Sequence, residues 1–158
     1  MTAQGWAQKP GSTPSPGGWK KSRFLPKRPI RSFRDLEVYQ RTAQAATEIL
    51  TKIIPALGDG LCPPKDALMV SCLKIPQLIA EAHSRRFESG SDHNLLDEAM
   101  AQCNNAIVYL EQVRDIFGDR LDSVVCEDLI RRYLVSRRKL FNLFKAWKQF
   151  ASYAKKAQ

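Results

Sequence analysis

Residues 92–118 read DHNLLDEAMAQCNNAIVYLEQVRDIFG. Within this stretch Leu96, Ala99, Cys103, Ala106, Leu110, Val113 and Phe117 recur at steps of three and four. That spacing places about one residue per turn on a single face of an α-helix. The segment opens after Ser89-Gly90-Ser91, with Asp92 near its N-terminus, and Gly118 supplies a stop. It is the cleanest apolar seam in the chain, and the other elements can be placed against it.

Upstream, the same rhythm occurs twice. Ser32 stands three residues before Asp35, a capping signal with an acid where the helix dipole favours it. Leu36, Tyr39, Ala43, Ala46, Leu50 and Ile53 then form a seam that Pro55 and the GDG at Gly58–Gly60 close. A second helix is predicted from near Pro64, with Leu68, Cys72, Ile75, Ile79 and Ala82 as its seam. Pro76 removes one backbone hydrogen bond and should bend that helix, but the seam continues in phase across it, so one helix is expected. Downstream, a fourth helix should start near Asp122 or Ser123 and run to about Phe150. Four helices with shortish connections and one seam each predict an all-α fold, an antiparallel up-down-up-down four-helix bundle. The expected organisation is a disordered basic arm over residues 1–31, the bundle over 32–151 and a basic tail over 152–158.

The fourth helix differs from the others. Its apolar set of Leu129, Ile130, Tyr133, Leu134, Leu140, Phe141, Leu143, Phe144, Trp147 and Phe150 covers roughly 200°, against the ~100° stripe of an ordinary surface helix. One bundle core cannot cover that arc, so the excess, with Leu134, Phe141 and Leu143, is expected to meet another subunit of a homo-oligomer. On the opposite side Arg131, Arg138 and Lys145 recur every seven residues and stack into one cationic stripe, with Lys148 beyond them.

The formal charge is +9, and its distribution says more than its size. Residues 1–34 hold eight Lys or Arg and no acid, residues 131–158 hold nine and no acid, and all sixteen acids fall between. Cationic ends on an anionic body point to a polyanion-facing side. The first 31 residues are rich in Gly, Pro, Ser and Lys and lack apolar periodicity, so alone they cannot offset their chain entropy. Lys20, Lys21, Arg23, Lys27, Arg28 and Arg31, with Trp19 and Phe24 among them, suit an arm that neutralises phosphate while its aromatics stack on bases. RNA or DNA is therefore the expected partner, and a solubilising tail is the plainer alternative.

Nothing in the sequence carries a catalytic pattern. No phosphate-binding Gly-rich loop precedes a helix, and no Ser-centred elbow or HExxH occurs. Cys62, Cys72, Cys103 and Cys126 are far apart and, like His83 and His93, form no metal-ligand pairing, so buried reduced thiols and no metal or cofactor are expected. Glu81, the one acid in IPQLIAEA, is expected to pair with a base across the bundle. No stretch approaches the roughly 20 apolar residues of a membrane span. The start of the sequence lacks the apolar core of a signal peptide. A soluble, cytoplasmic, non-enzymatic protein is expected, without membrane association.

Two motifs carry a family resemblance. Phe33–Gln40, FRDLEVYQ, resembles the FxDLxVWQ opening of the four-helix bundle proteins encoded within intervening sequences of bacterial large-subunit ribosomal RNA. Ile75–Ala82, IPQLIAEA, followed by Arg85 and Arg86, resembles their IPxxIAEG motif with its trailing arginines. The likeness covers about residues 33–150. Ala82 departs from the usual Gly, and the long basic arm is atypical. The same fold is shared by the accessory variability determinant proteins of diversity-generating retroelements, whose last helix KLFNLFKAWKQF at Lys139–Phe150 also resembles. The resemblance implies a homopentamer that binds a reverse transcriptase and nucleic acid in the retroelement branch. The intervening-sequence branch, whose role is undefined, and a protein–protein adaptor with incidental basic ends are the alternatives.

Overall fold

The computed structural model describes residues 30–86, 88 and 90–158. The described residues contain helices and no strand, and the helices pack as an all-α bundle. Four helices build it: α1 (Glu37–Glu48), α2 (Pro63–Ser84), α3 (Ser91–Phe117) and α4 (Ser123–Lys156). α2 packs along α3, α3 along α4, and α1 closes the bundle against α2 and α4. Ion pairs record the direction of α1 against α4. Glu37 meets Lys139 at 2.8 Å while Glu48, three turns on, meets Arg132 at 2.6 Å, so the two helices run antiparallel. Apart from Ile30 and Arg31, the expected arm over residues 1–31 lies outside the described residues.

The chain enters α1 through the anticipated capping box. Ser32 Oγ accepts the Arg34 N–H at 3.1 Å, and Asp35 Oδ2 accepts the N–H groups of Ser32 and Arg31 at 2.9 Å each. Those two backbone donors lower the Asp35 pKa. The box caps a short 3₁₀ turn, Phe33–Asp35, and α1 proper begins one residue after Leu36.

The core face of α1 is turned relative to its predicted seam. Val38, Thr42, Ala45, Ala46 and Ile49 are buried, whereas Tyr39, Ala43 and Leu50 sit half-buried at the margin. Two physical reasons account for the difference. Thr42 is polar and breaks the apolar rhythm, yet it is wholly buried, because its hydroxyl donates to Val38 O at 2.9 Å within its own helix. The helix also widens to a π-helical segment over Ile49–Ile53, with the Ile54 N–H bonded to Ile49 O, before a last turn Ile54–Ala56. Pro55 in that turn has no N–H to give and its ring would crowd the preceding turn, and the wider segment makes room for it. Gly58, at φ +71°, then takes the chain out of the helix.

α2 and α3 follow their predicted seams closely. Leu68, Cys72, Ile75, Ile79 and Ala82 are fully buried, as are Leu96, Ala99, Cys103, Ala106, Leu110 and Val113. α2 passes through Pro76 without ending. α4 starts as expected at the Asp122 cap, whose Oδ1 accepts the N–H groups of Val124 and Val125. It runs on to Lys156, six residues past the expected end at Phe150, because ASYAKK holds good helix formers and neither Gly nor Pro.

Two expectations test this core. Leu110→Ala should cost about 2–5 kcal/mol, read as a shift of the urea midpoint at equal protein concentration, since Leu110 is completely buried in the tightest seam. The second concerns the Arg132 guanidinium, which grips Glu48 through two hydrogen bonds of 3.0 and 2.6 Å and lowers its pKa from the ordinary 4.5. A lowered carboxylate contributes stability that is complete above the unfolded value and is lost as pH falls through the folded one. Glu48→Gln should therefore destabilise by about 1.5 kcal/mol at pH 7. The gap to wild type should close as the urea midpoint is followed from pH 6 to pH 3.

Candidate nucleic-acid interface

α4 carries nine Lys or Arg and no acid after Ile130. The bundle pairs two of these bases with acids and leaves the other seven, Arg137, Lys155 and Lys156 among them, without an ion pair among the described residues. Arg132 and Lys139, seven residues apart, face α1: Arg132 meets Glu48 and, at 3.1 Å, Asp128, while Lys139 meets Glu37. These two are bound into the fold. Arg131, Arg138, Lys145 and Lys148 point away from α1 and are exposed. None of the four has a carboxylate within 4.0 Å among the described residues. The contrast matters because all sixteen acids of the chain lie in the described residues, and the fold still brings none of them to this stripe.

The stripe is not purely cationic. Leu134 stands three residues after Arg131, and Phe141 three after Arg138, so the exposed line reads Arg131, Leu134, Arg138, Phe141, Lys145, Lys148 at alternating steps of three and four. Leu134 is 54% and Phe141 48% exposed. The expectation that the surplus apolar residues and the cations occupy opposite sides of the helix is therefore corrected: they alternate along one face. The sequence reading missed this because it treated the apolar arc as a single block. The bundle core draws off Leu129, Ile130, Tyr133 and Leu140, and only the flank of the arc that borders the cations stays outside. Leu143, the third residue assigned to a subunit contact, is half-buried and packs against the protein's own core. Phe144 and Trp147 do the same.

Side-chain geometry ties the two kinds of residue together. The Lys145 ammonium lies 5.4 Å from the Phe141 ring centroid, and that of Lys148 lies 5.8 Å from Phe144. Such contacts hold a flexible lysine against an aromatic face and set charge beside an apolar surface. A helix face of this make-up can accept a phosphate at each cation and a base or sugar at each apolar step. Of the arm residues read as phosphate contacts, Lys20, Lys21, Arg23, Lys27 and Arg28 lie outside the described residues. Arg31 is exposed, and its backbone N–H is one of the two that Asp35 accepts.

The remaining candidates of the sequence are accounted for locally. Glu81 pairs with Arg85 at 3.1 Å one turn along its own helix, rather than across the bundle. All four cysteines are buried and unlinked, and burial pushes the thiols of Cys72 and Cys103 up to about 11 and about 12, far from the activated thiolate that nucleophilic chemistry needs. Among the described residues, no group of three or more His, Cys, Asp or Glu could hold a metal ion, and no helix is long and apolar enough to cross a membrane.

Both histidines come to one end of the bundle, which their separation in sequence does not announce. His83 is buried, with its ring 6.2 Å from that of Trp147, and Arg86 donates to its Nε2 at 2.7 Å. Burial, with the neighbouring Arg86 charge adding to it, lowers the His83 pKa. His93 meets the Phe144 ring edge-on at 5.0 Å and sets its Nδ1 3.4 Å from the buried Asp92 carboxylate.

No protein-family model matches the chain, and comparison with curated proteins and with solved structures gives no match either.

Proposed function

We propose that this protein is a non-catalytic, basic, oligomeric nucleic-acid-binding accessory protein, with the outward stripe of α4 as its phosphate-facing surface. The observation that carries the reading is the set of four exposed cations, Arg131, Arg138, Lys145 and Lys148, left without an acid partner while the bases facing α1 are paired. Cations recurring along one face of a rigid helix suit a repeating backbone of like charge, and the intervening Leu134 and Phe141 suit exposed bases or sugars. The basic arm would add contacts from the same chain. The two motifs at Phe33–Gln40 and Ile75–Ala82 favour, within this reading, a ring of five copies assisting a reverse transcriptase by holding template RNA or its cDNA. An intervening-sequence-type bundle protein and a protein–protein adaptor are the competing assignments.

One further observation favours a second use of the same stripe. The outward line of α3 reads Asn94, Asp97, Ala101, Asn104, Val108 and Glu111, all exposed and also at steps of three and four. Laid antiparallel against α4 of another copy, it sets Glu111 on Arg131, Val108 on Leu134, Ala101 on Phe141 and Asp97 on Lys145. Acid meets base and apolar meets apolar, as a helix–helix seam between copies requires.

The two uses separate in one set of measurements. Fluorescence anisotropy with a labelled RNA, from 50 to 200 mM salt, should show affinity falling with a log–log slope of about −3 per protomer for four neutralised phosphates. The variant carrying Arg131→Glu, Arg138→Glu and Lys145→Glu should lose binding and the slope, while its mass by light scattering stays that of wild type. Deletion of residues 1–31 should weaken binding without abolishing it. A triple variant that binds as tightly as wild type with the same slope would sink the nucleic-acid reading, and one that loses mass would assign the stripe to a second copy.

A further inference from the structure

α2 packs against α1 and α3, which leaves α4 diagonally across the core from it. The outward side of α2 is therefore the part of the bundle farthest from the cationic stripe. Asp66, Val70, Leu73 and Gln77 are all exposed there, within about 60° of arc at about 100° per residue. Val70 is 64% and Leu73 50% exposed, two large apolar side chains one turn apart. Met69 and Pro76, both half-buried, extend the apolar surface along one edge.

The bases that border this stripe are already engaged. Lys74 meets Glu98 at 2.7 Å, Arg85 meets Glu81 at 3.1 Å, and Lys65 donates to Gly58 O at 2.7 Å. Asp66 has no base within 4.0 Å among the described residues. The surface is thus apolar at its centre, with one carboxylate and one amide at its ends.

The steps between the four residues, four, three and four, read the same in both directions. An antiparallel copy of α2 laid on the stripe therefore finds matching heights about a two-fold axis between Val70 and Leu73. Val70 stands level with the partner's Leu73, and Asp66 with the partner's Gln77. Apolar meets apolar, and an amide that can donate meets a carboxylate that can only accept. Such self-complementarity is what a two-fold contact between identical surfaces requires.

Charge favours the same occupant. Each chain carries a formal +9, so most approaches of two copies bring cations together. Contact through α2 sends the two α4 stripes to the far sides of the pair. They then lie more than about 30 Å apart, taking neighbouring helices at about 10 Å. That is several times the screening length of about 8 Å at physiological salt.

We infer that two copies of this chain associate through α2, as an antiparallel helix pair about the axis between Val70 and Leu73. The pairing goes beyond the nucleic-acid reading and does not depend on it. It uses neither α3 nor the stripe of α4, so it adds to any contact between copies through those helices. A single helix pair lies at the small end of protein interfaces, so micromolar association is expected.

Sedimentation velocity on the full chain, from about 1 μM to about 1 mM protein, reads this association. It is repeated on the Arg131→Glu, Arg138→Glu and Lys145→Glu triple variant, in which a contact through the stripe is removed. In both chains Leu73→Glu should weaken the association at least about tenfold, because it sets a charge in the apolar centre. Gln77 supplies the test of register. Gln77→Lys places a cation level with the partner's Asp66 twice per pair and should tighten association about fivefold. Gln77→Glu sets acid against acid and should loosen it by a similar factor. Net charge alone predicts the reverse, since Gln77→Lys adds to the +9 repulsion and Gln77→Glu relieves it. Both positions are exposed, so the helical circular dichroism spectrum should be unchanged. The pairing is overturned by a triple variant that stays monomeric at the highest concentration, or by a mass insensitive to Leu73→Glu. Gln77 variants that do not move the mass in these opposite directions overturn it equally.

Discussion

Everything in this bundle is hung on the dry contact between α2 and α3. Along it every seam residue from Leu68 to Ala82 and from Leu96 to Val113 is shut off from water, and the small members, Ala82, Ala99, Cys103 and Ala106, let the two helices come close. Close approach multiplies weak dispersion contacts, and the long α3 carries the same surface on to α4. α1, the shortest of the four at 12 residues, adds less apolar surface and closes the bundle with help from charge. Its two ends are tied to α4 by Glu37–Lys139 and Glu48–Arg132. The second of these is gripped bidentately, the geometry in which an arginine–carboxylate pair gains most.

That arrangement gives α4 two chemically distinct sides. Toward α1 its bases are neutralised and hold the fold together. Away from α1 its bases meet no acid, and the exposed Leu134 and Phe141 stand among them. The difference cannot come from the bases themselves, since Arg131 and Arg132 are neighbours in the chain. It comes from the direction each takes off the helix, about 100° apart. Neutralisation on one side is thus a condition for the unbalanced field on the other, because the acids of α1 are consumed where they stabilise the bundle. A field of one sign along a rigid helix raises the local concentration of a polyanion and speeds its capture.

The far end of the bundle gathers what the middle excludes. His83, Arg86, Asp92, His93, Phe144 and Trp147 come from three helices and form a polar and aromatic cluster around the α2–α3 corner. Its groups lie close together: Arg86 donates to His83, and His93 Nδ1 stands 3.4 Å from Asp92. The continuation of α4 to Lys156 overhangs this corner, with a cleft between them.

The sequence alone determined the number and order of the helices, their limits except the end of α4, and the buried faces of α2 and α3. It could do so because a helix buried on one side writes its period directly into the chain. Thr42 marks the boundary of that legibility. A hydroxyl that bonds its own helix is polar in the sequence and apolar in its packing, and so the face of α1 was read slightly off its true direction. The candidate interface was legible as charge, since Arg131, Arg138, Lys145 and Lys148 are visible in the chain. Which bases would be free was not, because pairing with Glu37 and Glu48 joins residues 102 and 84 positions apart. Nor could the chain show that Leu134 and Phe141 would remain outside beside those cations, or that His93 and Phe150 would share a cleft. Those facts depend on which side of α4 the core occupies, and only the packing of the four helices decides that.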